Sequence, residues 1–126
     1  MNRIIDTPLV RLELLENGIL LAAYKQWKRV TLEMAREIVQ TRLDFAGVEP
    51  RPVLIVNLGV VNFDKAARAY VSSGDGILGV KAAAIVEDRL ATKIIMSFIF
   101  SVEKPPIPAR MFRRERAALD WLENFL

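Results

Sequence analysis

The sequence predicts an α/β domain: a mixed, mostly parallel sheet of about five strands, opened by an N-terminal β-hairpin and covered by about four helices. Three observations predict it. Asn17-Gly18 lies between two β-compatible apolar runs, the strongest short hairpin signal. The runs at 52–58 and 80–86 are apolar on both faces, which marks strands buried on two sides. Segments of helical periodicity alternate with those runs in the order β-β-α-β-α-β-α-β-α, so helices must pack on the sheet. The 126 residues, 52% of them hydrophobic, suit one domain over 1–126.

Along the chain, residues 8–24 form the hairpin. Leu9, Arg11 and Glu13 share one face, and Val10, Leu12 and Leu14 the other, so one side is wetter. Trp27, among Lys25, Lys28 and Arg29, is expected to cover the sheet edge. Thr31 is a good N-cap, and Leu32, Ala35, Ile38, Val39 and Leu43 recur at helical spacing until Gly47, which predicts a helix over 31–46. After the strand at 52–58, Asn62 or Asp64 caps a second helix through Ala66, Ala67, Tyr70 and Val71. The segment 72–76 is a loop, and 80–86 a further strand. A third helix is expected over 90–102, ended by the prolines of 105–108. Residues 109–112 then read as a short edge strand. The last helix, 114–126, places Ala117, Ala118, Trp121, Leu122 and Phe125 on one face.

There is no Cys and no His, which removes disulfides, thiol chemistry, imidazole metal sites and the triads built on either residue. Carboxylate catalysis needs two acids held in a pocket, and the adjacent Glu87-Asp88 pair reads as a solvated strand end. The expectation is a non-enzymatic domain with no metal and no cofactor. Eighteen Lys+Arg against fifteen Asp+Glu give +3, too small an excess for a nucleic-acid footprint. The N-terminus has no apolar run of signal-peptide length, and no stretch of about 18 apolar residues escapes interruption by charge. A cytoplasmic protein without a transmembrane segment is expected.

The segment RPVLIVNLGVVNFDKAARAYV, a buried strand, a turn and an Asp-capped helix set after a hairpin and a helix, resembles the STAS domain of anti-sigma-factor antagonists. That resemblance implies an Asp-Ser-Ser-Gly type motif whose second serine accepts a phosphate and switches partner binding. The matching positions here are Asp64, Lys65, Ala66 and Ala67. Neither hydroxyl remains, so that switch cannot operate. The remainder, ending in Phe112, Ala118, Trp121 and Leu122, resembles a divergent STAS-like branch that is also similar to CRAL-TRIO lipid-transfer domains.

Four candidate surfaces follow. Asp64, Lys65 and Arg68 cluster at a helix start, either as a partner-docking site or as an ordinary cap with solvated neighbours. Ser72-Ser73-Gly74-Asp75-Gly76 lacks the P-loop ending and the dinucleotide spacing, so it reads as a plain connection. In the expected helix over 90–102 the polar residues form one narrow stripe, leaving Ile94, Ile95, Phe98, Ile99 and Val102 to be covered. Neighbouring elements, a homodimer partner, or an apolar small molecule or lipid could cover them. Arg110, Arg113, Arg114 and Arg116 make a basic patch, suited to an acidic partner or anionic headgroups, or simply solvated. The leading expectation is a homodimeric interaction domain for an unidentified protein partner; the alternative is a carrier of a lipid or other apolar small molecule.

Overall fold

The computed structural model describes residues 2–59, 62–87, 89 and 106–126. Among the described residues there are eight strands: β1 (Arg3–Asp6), β2 (Val10–Leu14), β3 (Leu20–Tyr24), β4 (Arg29–Val30), β5 (Arg51–Asn57), β6 (Asn62–Phe63), β7 (Val80–Val86) and β8 (Ala109–Phe112). Three helices are described: α1 (Leu32–Ala46), α2 (Lys65–Val71) and α3 (Glu115–Leu122), with 3-10 turns at Gly74–Gly76 and Glu123–Phe125. The main sheet has the order β1-β2-β3-β5-β7-β8. β1, β2 and β3 pair antiparallel, whereas β3, β5, β7 and β8 run parallel. The class is the mixed α/β one expected; the main sheet has one more strand than the five counted from the sequence, and β4 and β6 form a separate two-stranded ladder. The helix expected over 90–102 lies outside the described residues.

The hairpin turn forms where Asn-Gly predicted it. Gly18 takes φ 99°, which its missing Cβ permits. Its N–H bonds the Leu15 carbonyl at 3.0 Å, and the Asn17 side chain accepts from Ile19 N–H at 3.1 Å. The extra strand is β1. All four of its residues are exposed, so no buried side chain marks it in the sequence; its ladder with β2 holds it, helped by Arg3 on the Phe45 carbonyl and ring and by the Asp6–Lys25 ion pair.

Two connections, β3-α1-β5 and β5-α2-β7, place α1 and α2 on the same face of the sheet, as right-handed crossovers between adjacent parallel strands require. Leu12, Leu20, Ala22 and Val53 meet Ala35, Ile38 and Ala67 there. On the opposite face Ile19, Leu54, Ala82 and Ala84 pack against Ala118 and Leu122 of α3. The small side chains of Ala82 and Ala84 on β7 let α3 approach the sheet closely on this face. Ala117, expected on the buried face of the last helix, is exposed instead. The α-helix closes at Leu122, and Trp121 and Phe125 stack edge to face at 4.9 Å to finish the contact.

α1 carries one buried charge. Arg42, 7% exposed, falls on the apolar stripe and reaches the turn before β7. It donates to the carbonyls of Leu78 (2.7 Å), Gly76 (3.1 Å) and Asp75 (3.4 Å). Burial pulls its pKa down, offset in part by Tyr24 and Tyr70. That turn is tight: a Cβ on Gly76 would stand 2.0 Å from the Tyr70 carbonyl oxygen.

Candidate functional site

The carboxyl ends of β3, β5, β7 and β8 lie along one end of the sheet, because these four strands run parallel. That end is where open α/β sheets bind ligands, usually in a crevice at a point of strand-order reversal. β3, β5 and β7 follow in sequence with both crossovers on one face, so no such crevice opens between them. What the end offers instead is a surface made of loops.

Two of those loops are tied together. After β3 the chain forms β4, after β5 it forms β6, and the two pair parallel as Arg29↔Asn62 and Val30↔Phe63. Leu58 N–H bonds the Tyr24 carbonyl at 2.9 Å, and Asp64 N–H bonds the Val30 carbonyl at 3.0 Å. Gly59 sits so close to Gln26 that a Cβ would stand 2.3 Å from Gln26 Cγ. The abutting loops expose two large apolar side chains, Trp27 at 39% and Leu58 at 51%. Trp27 reaches across to the β1–β2 turn, where its Nε1 donates to the Pro8 carbonyl at 3.3 Å.

The start of α2 is fixed by this ladder. Asp64 is its N-cap residue, but its side chain makes no capping bond; it pairs with Arg29 Nε at 3.1 Å. Lys65 is exposed. Arg68 turns inward, half-buried, and its Nη1 donates to the Phe63 carbonyl at 2.8 Å. Of the three residues, then, Lys65 faces solvent most fully, while Asp64 and Arg68 hold the loop. Ala66 is exposed and Ala67 fully buried against the core.

Glu87 corrects the sequence reading. It is not a solvated strand end but 3% exposed, at the carboxyl end of β7. Asn57, at the end of β5, donates to its Oε2 at 2.8 Å, and Arg89 donates its backbone N–H and Nε to Oε1, each at 3.0 Å. Burial pushes the Glu87 carboxyl up, but the bonds from Arg89 and Asn57 outweigh it and hold it below the usual glutamate range. Asn57 also accepts from Gly59 N–H at 3.0 Å, so one amide joins the Leu58 loop to β7. No adjacent sequence signal marks this centre, because Asn57 and Glu87 stand 30 residues apart.

The arginines near β8 are exposed. Arg110 lies 5.1 Å over the Phe112 ring, and Arg116 pairs with Asp120 at 3.6 Å. Arg113 and Arg114 follow β8 at the same end of the sheet as Trp27 and Lys65. Ile94, Ile95, Phe98, Ile99 and Val102 lie outside the described residues. Among the described residues there is no cluster of three or more potential metal ligands, and no helix is long and apolar enough to cross a membrane.

The model of a family described as a domain of unknown function, DUF7793, matches residues 13–126. The chain belongs to the DUF7793 family. The match begins inside β2, so the exposed strand β1 lies outside it. The DUF7793 chain also resembles a crystal structure of an uncharacterized protein of the DUF3478 family from Shewanella loihica PV-4, which has a SpoIIAA-like fold. The likeness has a TM-score of 0.56 and 17% identity over 97% of this chain and 92% of that one. It shows the fold: this DUF7793 domain is SpoIIAA-like, the STAS-like architecture expected above. A protein of unknown function from Arthrobacter sp. FB24, 20% identical over 94% of this chain and 95% of that one, reaches a TM-score of 0.33 and adds nothing to that assignment. No curated protein matches the chain.

Proposed function

We propose that this STAS-like domain is a protein-docking module that works without a serine phosphoswitch, and that it docks its partner at the carboxyl-end surface around the start of α2. The observation that carries the reading is the pair of exposed apolar side chains, Trp27 and Leu58, on two abutting loops beside exposed Lys28 and Lys65. Aromatic and aliphatic anchors surrounded by polar residues are the usual centre of a protein interface. The loops beneath them are fixed by the β4–β6 ladder and by Asn57, so little ordering cost accompanies binding. Ala66, where the STAS resemblance puts the phosphate acceptor, supports constitutive rather than switched docking.

A photo-crosslinking residue in place of Lys65, compared with one in place of exposed Glu49 at the opposite end of the sheet, tests the reading in the source cell. A discrete protein adduct from position 65 and none from position 49 is expected. Adducts of equal yield from both positions, or none from position 65, remove it. The same reading includes self-association through the apolar residues 94–102, which the sequence supports. Native mass spectrometry that finds only monomer removes that part, and a bound mass lost on denaturation favours an apolar-ligand carrier instead.

A further inference from the structure

The carboxyl-end surface carries exposed cations that its own carboxylates do not neutralise. Three of its carboxylates are already engaged: Asp6 with Lys25, Asp64 with Arg29, and Glu87 with Arg89. Lys28, Lys65, Arg113 and Arg114 are exposed at this end and have no ion-pair partner among the described residues. The exposed acids there, Glu33 and Glu115, sit in the first turns of α1 and α3, where the helix dipoles favour them. The opposite end carries exposed Glu16, Asp44, Glu49, Asp75 and Glu123, against exposed Arg3 and Lys81. Among the described exposed residues, charge is therefore polarised along the strand direction. From β3 to β8 the unpaired cations span three strand spacings, about 15 Å, wide enough for a peptide segment.

Resting on the docking reading above, we infer that the partner contributes an acidic segment with an apolar anchor. Its carboxylates meet Lys28, Lys65, Arg113 and Arg114, and its anchor meets Trp27 and Leu58. Opposite charge speeds encounter and rejects basic competitors, while the apolar contact supplies residence time.

The test titrates the isotope-labelled full chain with a short synthetic peptide of glutamate and aspartate around a leucine-phenylalanine pair, followed by amide chemical shifts. Shifts concentrated at Trp27, Lys28, Leu58, Gly59, Lys65 and Arg113 are expected. Affinity should fall about tenfold between low and physiological salt. The double variant K28E/K65E should weaken binding at least about tenfold, and E49K should leave it unchanged. A lysine version of the peptide that binds the same residues as tightly overturns the acidic assignment and leaves the docking surface standing. Peptide shifts confined to other parts of the molecule, or no binding by either peptide, overturn both. Tighter binding of phosphatidylglycerol vesicles or of a single-stranded oligonucleotide at the same residues assigns the cations to a membrane or a nucleic acid and overturns the inference.

Discussion

Asn57 Nδ2 donates to Glu87 Oε2 across 2.8 Å, joining the carboxyl ends of the two central strands. Glu87→Ala would remove the buried acceptor that this amide shares with Arg89, and should cost about 2–4 kcal/mol, read from chemical denaturation. Glu87→Gln keeps an acceptor and should cost less.

The same carboxylate sets part of the acid limit. Its folded pKa lies below its unfolded value, so its contribution is complete above about pH 4.3 and is lost as pH falls through the lower folded value. The stability gap between the native chain and E87Q should therefore shrink from pH 7 to pH 3 in urea melts. A gap that stays constant across that range would contradict the assignment.

Arg42 holds the 74–78 turn through three backbone carbonyls. Arg42→Ala should destabilise by about 2–4 kcal/mol and speed hydrogen exchange in that turn before the rest of the molecule. Arg42→Lys, a point charge without the planar fork, should recover only part of the loss.

Two glycines distinguish hard from soft crowding. At Gly76 an added Cβ meets backbone, 2.0 Å from Tyr70 O and 2.6 Å from Val71 Cα, so Gly76→Ala should cost several kcal/mol, about 3, with no side-chain remedy. At Gly59 the nearest atom is Gln26 Cγ at 2.3 Å, with Gln26 Cβ at 3.1 Å. Gly59→Ala should cost less in a Gln26→Ala background than in the native chain, a coupling that a double-mutant cycle reads directly.

Much of this architecture was legible from residue pattern. The run VKAAAIV between Gly79 and Glu87 is β7 residue for residue, and the prolines of 105–108 isolate β8. Thr31 and Gly47 bound α1 because each supplies the bond expected of it, Thr31 to Met34 N–H and Gly47 N–H to Leu43 O. The features that escaped share a cause: they depend on partners distant in sequence. Glu87 is buried because β5 brings Asn57 beside it. Arg42 accepts a core position because the 74–78 turn surrounds its head with carbonyls. Its place four residues after Ile38, on the apolar stripe, was the one available signal. β4 and β6 have two residues each and no periodicity to detect.

At the docking surface, Ala66 and Ala67 differ in what they tolerate. Ala67 is fully buried, so Ala67→Ser places an unpartnered hydroxyl in the core and should cost about 1–3 kcal/mol. Ala66→Ser, exposed in the first turn of α2, should change the unfolding free energy by less than about 0.5 kcal/mol, read from urea melts.

β1 has a consequence for how the molecule avoids its own kind. It buries no side chain, yet its ladder occupies the outer backbone groups of β2, a strand with Val10 and Leu12 facing the core. Stripped of residues 2–6, the fold would keep both of its cores but present an open, apolar-flanked strand to the next copy. Such a truncation would barely lower a melting temperature and would show itself in light scattering, as chains that template onto one another. β1 is in that sense a hem: it moves the open margin of the sheet from a strand that faces the core to one whose four side chains, Ile4 and Ile5 among them, all stand in solvent.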